Sequence, residues 1–365
     1  MSSKSHAFRT LLLGIAVALI AAGAIAPRFL NIDGRIPLDL QSSSWTMVDG
    51  EGFAKVPTGE GEEDYQGPMA LRYHLNLQDP ADRDTVTAGI GRSLMKGADG
   101  EGEGADVNNL IKASVWNFPM DRLTGQADGP AQLNNSIAAP NTEVEMGGYW
   151  LKFPSQAKKT TYPVFDPTLR AARDAVFEEE LEMEGRKVYH YRQEIPPENV
   201  AQLYADFGNT GQLPTEDGGT ETGYLNHAAY RDFYVDQISG LVVGMSETID
   251  DFMADREGNR RHDVLRFTGT TSEENTAAML QAAEQVINPA IAQIVRWSVI
   301  GLGVLLALIC LFGIIRNKGS RPQRSQKKAQ PAQDLTPPAP APSPAKPEGD
   351  QEERPRQVFP QNRPD

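Results

Sequence analysis

Two unbroken apolar runs frame this chain, and between them the hydrophobic positions alternate. Leu11–Ala26 (LLLGIAVALIAAGAIA) carries no charge and follows Lys4 and Arg9; Trp297–Ile315 (WSVIGLGVLLALICLFGII) carries none either and is flanked by Arg296, Arg316 and Lys318. The second run is long enough to span a bilayer as a helix, and the first is so with Thr10 and residues 27–30 at the interfaces. The first run also ends in Ala24-Ile25-Ala26, as a secretory leader would. Proline at the position after the cut blocks cleavage, so Pro27 favours an uncleaved anchor. The expected organisation is a cytoplasmic N-terminus (1–9), a first membrane helix (10–28), an extracytoplasmic domain (29–295), a second membrane helix (296–316) and a Pro-rich tail (317–365). Arg28, Arg296, Trp297, Arg316 and Lys318 are expected at the membrane interfaces.

The central segment reads as an α+β domain dominated by antiparallel strands, barrel-like closure being one expected form. Phe177, Glu179, Leu181 and Met183 interleave with Glu178, Glu180, Glu182 and Glu184; Gly185 then turns the chain into Val188–Ile195, and Pro196-Pro197 is read as the end of this hairpin. Further strands are predicted over Ala70–Leu77, Leu110–Phe118, Tyr149–Phe153, Tyr230–Val235, Leu241–Met245 and Val264–Thr270. Asp166-Pro167-Thr168 predicts the opening of a short helix. Ser272, with Glu273 and Glu274 behind it, predicts the N-cap of a longer one through Ile287, stopped by Asn288-Pro289 and leading toward the second membrane helix, continuity with Ile291–Ile315 being one expected form. The stretches 59–64 and 99–106 read as acidic, glycine-rich surface loops.

Charge supplies orientation. The net charge of the whole chain is −14; residues 1–26 carry +2 and residues 316–365 carry +4, which leaves −20 on 27–315. The positive-inside rule puts both termini in the cytoplasm and the chain in the plasma membrane as a two-pass protein. An acidic outer domain argues against nucleic acid as a partner. The tail, with PPAPAPSPAKP at 337–347, lacks the apolar residues needed to fold. Within the helices, Gly14, Ala18 and Ala22, and likewise Gly303 and Ala307, repeat at four-residue spacing, a pattern for close helix packing within one chain or between copies in a homo-oligomer.

No chemistry announces itself. Cys310, inside the second helix, is the single cysteine, and His74, His190, His227 and His262 are far apart, so no metal site and no cofactor is expected. There is no nucleophile elbow and no phosphate-binding glycine loop, and the Glu178–Glu184 comb reads as a wet strand face; a non-enzyme is expected. Aromatic stretches remain. Trp116-Asn117-Phe118-Pro119 and Gly148-Tyr149-Trp150-Leu151-Lys152-Phe153, followed by Lys158-Lys159, read either as core strands or as a groove for a lipid chain, lined by Trp116, Phe118, Tyr149 and Trp150 with Lys152, Lys158 and Lys159 at an anionic headgroup.

These same residues carry a resemblance. WNFPMDRLTGQA (116–127), GGYWLKFPSQAKKTTYPVFDPTL (147–169) and VFEEELEMEGRKVYHYRQEIPP (176–197) resemble an actinobacterial cell-envelope family filed as the porin PorA family. The resemblance runs from the first helix to the second. Its most specific marks are Trp116 with Asp121-Arg122-x-Thr124-Gly125, and Lys152-Phe153-Pro154 with Tyr162-Pro163-x-Phe165-Asp166. The chain departs at 235–240, where Asp-Pro-x-Thr-Gly is usual, which should alter one turn. The resemblance implies a role in the envelope of mycolic-acid-bearing bacteria, in lipoglycan maturation, with membrane lipids, lipoglycan or envelope-biosynthesis proteins as partners. Its layout is also similar to that of CD36-type lipid receptors. Three classes stay open: a lipid or lipoglycan binding and maturation factor, a non-catalytic scaffold for envelope enzymes, and an oligomeric pore. Two apolar helices cannot enclose an aqueous path in one copy, and the strands lack a lipid-facing apolar band.

Overall fold

A computed structural model describes residues 2–29, 33–38, 40, 43–58, 61–98, 109–135 and 140–318. The expected loop at 99–106 and the tail from 319 lie outside them. Helix α1 (Ser2–Phe29) is followed by strands β1 (Ser43–Thr58), β2 (Gly61–Ala81), β3 (Thr85–Lys96), β4 (Leu110–Asp121), β5 (Ala131–Asn134) and β6 (Thr142–Val144). A second series follows: β7 (Tyr162–Asp166), β8 (Ala171–Met183), β9 (Arg186–Asn199), β10 (Thr210–Pro214), β11 (Thr220–Asp236), β12 (Val242–Ala254) and β13 (Arg260–Thr271). Helices α2 (Glu273–Glu284) and α3 (Pro289–Lys318) close the sequence of elements.

Hairpin succession makes most neighbours in sequence neighbours in space, and all strand pairs are antiparallel. The order is β6-β5-β4-β3-β2-β1-β13-β12-β11-β9-β8-β7, with β10 on β11. Pairing of β1 with β13 zips the two half-chains into one sheet. Period-two alternation sends one face inward: Val86, Ala88, Ile90, Arg92 and Leu94 on β3 and Leu225, His227, Ala229, Arg231, Phe233 and Val235 on β11 are all buried. The sheet curls until Trp116 on β4 meets Phe165 on β7, ring centroids 5.5 Å apart. It does not close: among the described residues no strand of the first half-chain's outer edge pairs with β7. The gap is filled by residues 147–158, which touch the ladder through isolated bridges from Tyr149 to Val164 and Gln126 and from Lys152 to Leu241.

Four local expectations are corrected. Tyr149–Phe153 is not a strand, because Leu151 takes φ 62° and breaks the extended backbone between Gly148 and Pro154. Asp166-Pro167-Thr168 opens a turn, not a helix. Asp166 Oδ1 accepts from Leu169 N (2.5 Å) as a cap would, but Arg170 at φ 51° sends the chain straight into β8. Pro196-Pro197 does not end β9; a register shift opposite His227–Ala229 absorbs it. Gly61–Asp64, read as loop, is the exposed start of β2.

Helix α2 has its expected cap, Ser272 Oγ accepting from Asn275 N at 3.1 Å, and buries Met279, Leu280 and Ala283. It is not continuous with α3. Asn288 Oδ1 accepts from Ala290 N (3.0 Å), so the Asn288-Pro289 pair begins α3. Helices α1 and α3 are both long and apolar enough to cross a membrane. They pack on each other: a methyl added at Gly303 would meet Ile20 Cγ1 at 2.8 Å and Ala16 O at 2.9 Å, and Arg296 Nε donates to Gly23 O at 3.1 Å. The expected α3 stripe is thus used within the chain at Gly303. The α1 stripe is not, since Gly14, Ala18 and Ala22 are exposed and the pair is made by Ala16, Ile20 and Gly23. Cys310 is buried on α3.

The turn from β11 to β12 depends on glycine. Gly240 sits at φ 73°, and a methyl there would press on the carbonyl oxygens of Phe153 and Pro154. Gly240→Ala is expected to destabilise the full chain in detergent by about 2–4 kcal/mol in chemical denaturation, from backbone strain and overpacking together. Gly258→Ala, at φ 90° with open space around it, should cost about 1 kcal/mol.

Candidate functional site

The inward face of the sheet is layered. One layer is aromatic: Trp116 meets Trp150 and Phe165 edge to face and Trp150 lies tilted against Phe165, with centroids 5.4–5.6 Å apart, and Phe153 stacks on Tyr191 at 5.1 Å. Such ring geometry adds to the stabilisation from burying their area. Beside it lies a layer of buried charge. His227 donates from Nδ1 to Asp251 Oδ1 (2.5 Å) and from Nε2 to Asp166 Oδ2 (3.1 Å); Arg231 pairs with Asp166 (2.7 Å) and with Glu247 (2.7 Å). Arg231 Nη1 also donates to Gln193 Oε1 (2.9 Å), and Tyr73 Oη donates to Glu247 Oε2 (3.0 Å) while accepting from Arg92 Nε (3.0 Å). Only the doubly protonated imidazole can donate to both carboxylates. Burial alone would lower the His227 imidazolium, but Asp166 and Asp251 outweigh it and lift it to about 9. Burial pushes Asp166 up, and His227 and Arg231 more than reverse this, holding it far below the ordinary carboxylate range.

These residues were missed by motif reading. The signal for two of them is present, since the alternation of β11 places His227 and Arg231 among Leu225, Ala229, Phe233 and Val235 on one face. Which carboxylates meet them is decided by strands distant in sequence.

The seven residues of the expected groove are separated by the fold. Trp116, Phe118 and Trp150 are buried in the aromatic layer, which corrects the expectation that they line an open groove: their inward positions on β4 and in the gap segment are filled by neighbouring rings. Lys152 is fully buried, with Nζ donating to Phe153 O (2.6 Å), Leu123 O (3.2 Å) and Ser155 Oγ (3.3 Å). Tyr149 is half-buried, its ring 5.4 Å from Tyr162. Lys159 pairs with Glu180 (3.0 Å) over the rings of Phe177 and Tyr189. Lys158 borders a crevice of about 480 Å³ that it shares with Asp33, Leu123, Pro154, Tyr162 and Pro289, the first residue of α3, and Trp116 lines a separate cavity. At the interfaces, Arg296 lies over the Trp297 ring (5.5 Å) and Trp297 is exposed; the side chains of Arg28, Arg316 and Lys318 lie outside the described residues.

The residues marking the family resemblance do structural work. Asp121 Oδ1 accepts from Leu123 N (2.9 Å) and Thr124 N (2.6 Å), and Gly125 takes φ 77°. Arg122 donates to Ile36, Asp82 and Arg83 carbonyls, tying the segment after α1 to the sheet. The departing turn keeps an aspartate as anchor: Asp236 Oδ2 accepts from Ser239 N (2.7 Å), and both its oxygens accept from Arg186 (2.8 Å each).

A large curled antiparallel sheet joined to two packed apolar helices, each long enough to cross a membrane, is an architecture suited to membrane association. The family model for Porin PorA matches residues 8–312, and the chain belongs to that family. It is 28% identical over 240 residues to a protein named Porin PorA from Corynebacterium amycolatum, covering 55% of this chain and 61% of that one. It is 25% identical over 244 residues to another of the same name from Corynebacterium resistens, covering 58% of each. The chain thus matches about three-fifths of the length of these relatives.

Burial also lowers the Lys152 ammonium to about 7, against the pull of Asp121 and Asp236. A depressed lysine makes the fold more stable as pH rises from about 7 toward its unfolded value; the raised His227 does the opposite between its unfolded value of 6.5 and about 9. The two slopes oppose each other from pH 7 to 9. Lys152→Met should therefore uncover a fall in stability across that window, on the order of 1 kcal/mol per pH unit, read by denaturation at several pH values. A pH profile parallel to that of the unmutated chain would refute the assignment.

Proposed function

We propose that this chain is a two-pass protein of the plasma membrane, with both termini cytoplasmic, that engages an anionic lipid at the foot of its outer domain. The observation that carries this reading is the crevice beside Lys158. Its accessible lining is mainly apolar, its one carboxylate, Asp33, is already paired with Arg35, it opens where α3 begins, and Lys158 forms no ion pair among the described residues. An acyl segment there would meet Leu123, Pro154 and Tyr162 while its headgroup met the ammonium. This is a binding role, not an enzymatic one. Lipoglycan or envelope-biosynthesis proteins as further partners belong to the same proposal and rest on the family's envelope setting.

The printed name of the relatives supports a second reading, an oligomeric pore, and supports it more directly than it does lipid engagement. The exposed Gly14, Ala18 and Ala22 face of α1 is open to a second copy, as a pore built from several chains needs. The interior of one sheet is filled, so any conducting path would run between copies.

Native mass spectrometry of the full chain in mild detergent with phosphatidylglycerol separates the two. One retained lipid per chain, lost in Lys158→Glu, is the expected result. A lipid-free mass together with stepwise conductance in planar bilayers would replace this reading with the pore.

A further inference from the structure

A second cavity lies at the other end of the sheet. Leu225, near the start of β11, lines it, whereas the Asp236 end of the same strand adjoins the segment that borders the Lys158 crevice. Eleven residues of strand separate these ends, roughly 36 Å. The cavity measures about 200 Å³, room for roughly six waters. Its walls carry Arg92, Lys112 and Arg170 against one carboxylate, Asp206.

The cations are not equivalent. Arg170 is committed, pairing with Asp206 at 2.7 Å above the Tyr204 ring. Arg92 is 93% buried, being 7% exposed, and spends Nε on Tyr73; it has no ion pair among the described residues, and it lines the cavity. Lys112 also lacks a partner there. It shares the inward-facing register of β4 with Ser114 and Trp116 and is itself exposed, so its ammonium stands at the mouth of the cavity rather than inside it. Three cations around one carboxylate leave the cavity with an excess of positive charge that an incoming anion would offset.

We propose that this cavity is an anion site that takes one phosphoryl or carboxylate group, with Lys112 and Arg92 as its ligands and the Ser114 hydroxyl as a further donor. The group could be carried by a small extracytoplasmic solute or by a lipid headgroup drawn out of the membrane. The site is independent of the Lys158 crevice.

The test is calorimetric titration of the full chain carrying Lys158→Glu, which removes the lipid site of the crevice, in detergent at constant ionic strength, with inorganic phosphate and separately with phosphatidylglycerol in mixed micelles. Saturable binding at one site per chain is expected, weakened at least about tenfold in Lys112→Met and unchanged in Lys159→Met. Lys112 forms no ion pair or hydrogen bond among the described residues, so its variant should unfold at the same denaturant concentration as the unmutated chain. Lys112-dependent binding of phosphate supports a soluble ligand, and Lys112-dependent binding of phosphatidylglycerol alone supports a headgroup. Absence of saturable binding for both probes, or binding that Lys112→Met leaves intact, overturns the proposal.

Discussion

The buried ionic layer is the constraint on which the rest of this molecule depends. A sheet that curls without closing has no ladder of hydrogen bonds to hold its edges together, so side chains must do so across the interior. Asp166, at the end of the edge strand β7, is tied to His227 and Arg231 on β11; Arg231 is tied to Glu247 on β12, and Tyr73 carries the connection to β2 and β3. Removing one member would strand a buried charge at a cost of about 3–5 kcal/mol, whereas the intact network adds little beyond a well-packed apolar layer. Its contribution is therefore to specify which strands face one another.

The charged layer also divides the interior. On β9, Gln193 stands between Tyr191 in the main core and Ile195 in a smaller apolar cluster; on β11, Arg231 stands between Phe233 and Ala229 in the same way. The aromatic layer on one side is solid, which is why it offers no tunnel for a lipid chain. Open space is left at the two ends: a mainly apolar crevice beside α3 and a polar, cation-lined cavity beyond the charged layer. The two differ in lining and suit different chemistry.

The gap in the sheet links the domain to its anchors. Residues 147–158 fill it with irregular backbone whose polar groups are met by β7, by the Asp236–Leu241 turn and by buried Lys152. Ser155 Oγ in that segment donates to Gly34 O (2.6 Å), and Gly34 packs near Pro289, so the filler of the sheet also fixes where α3 starts. Below that point the two helices hold each other through Ala16, Ile20, Gly23 and Gly303, leaving a second small-residue face outward.

The sequence by itself determined the two long apolar helices, the antiparallel β-rich domain between them, the cap of α2 and the family, because apolar run length, period-two alternation and capping chemistry are local. It also carried the residues of the tightest turns, Asp121 to Gly125 and Gly240, though not the reason for them. Only the tertiary structure decided that the sheet stays open and that Tyr149–Phe153 plugs it. The same aromatic pattern serves core and groove alike, so burial of Trp116, Trp150 and Lys152 rests on contacts with strands far along the chain. Likewise, Arg92 and Lys112 meet Arg170 only because the sheet curls β3 and β4 back toward the β7–β8 turn, a long-range closure that no local pattern encodes.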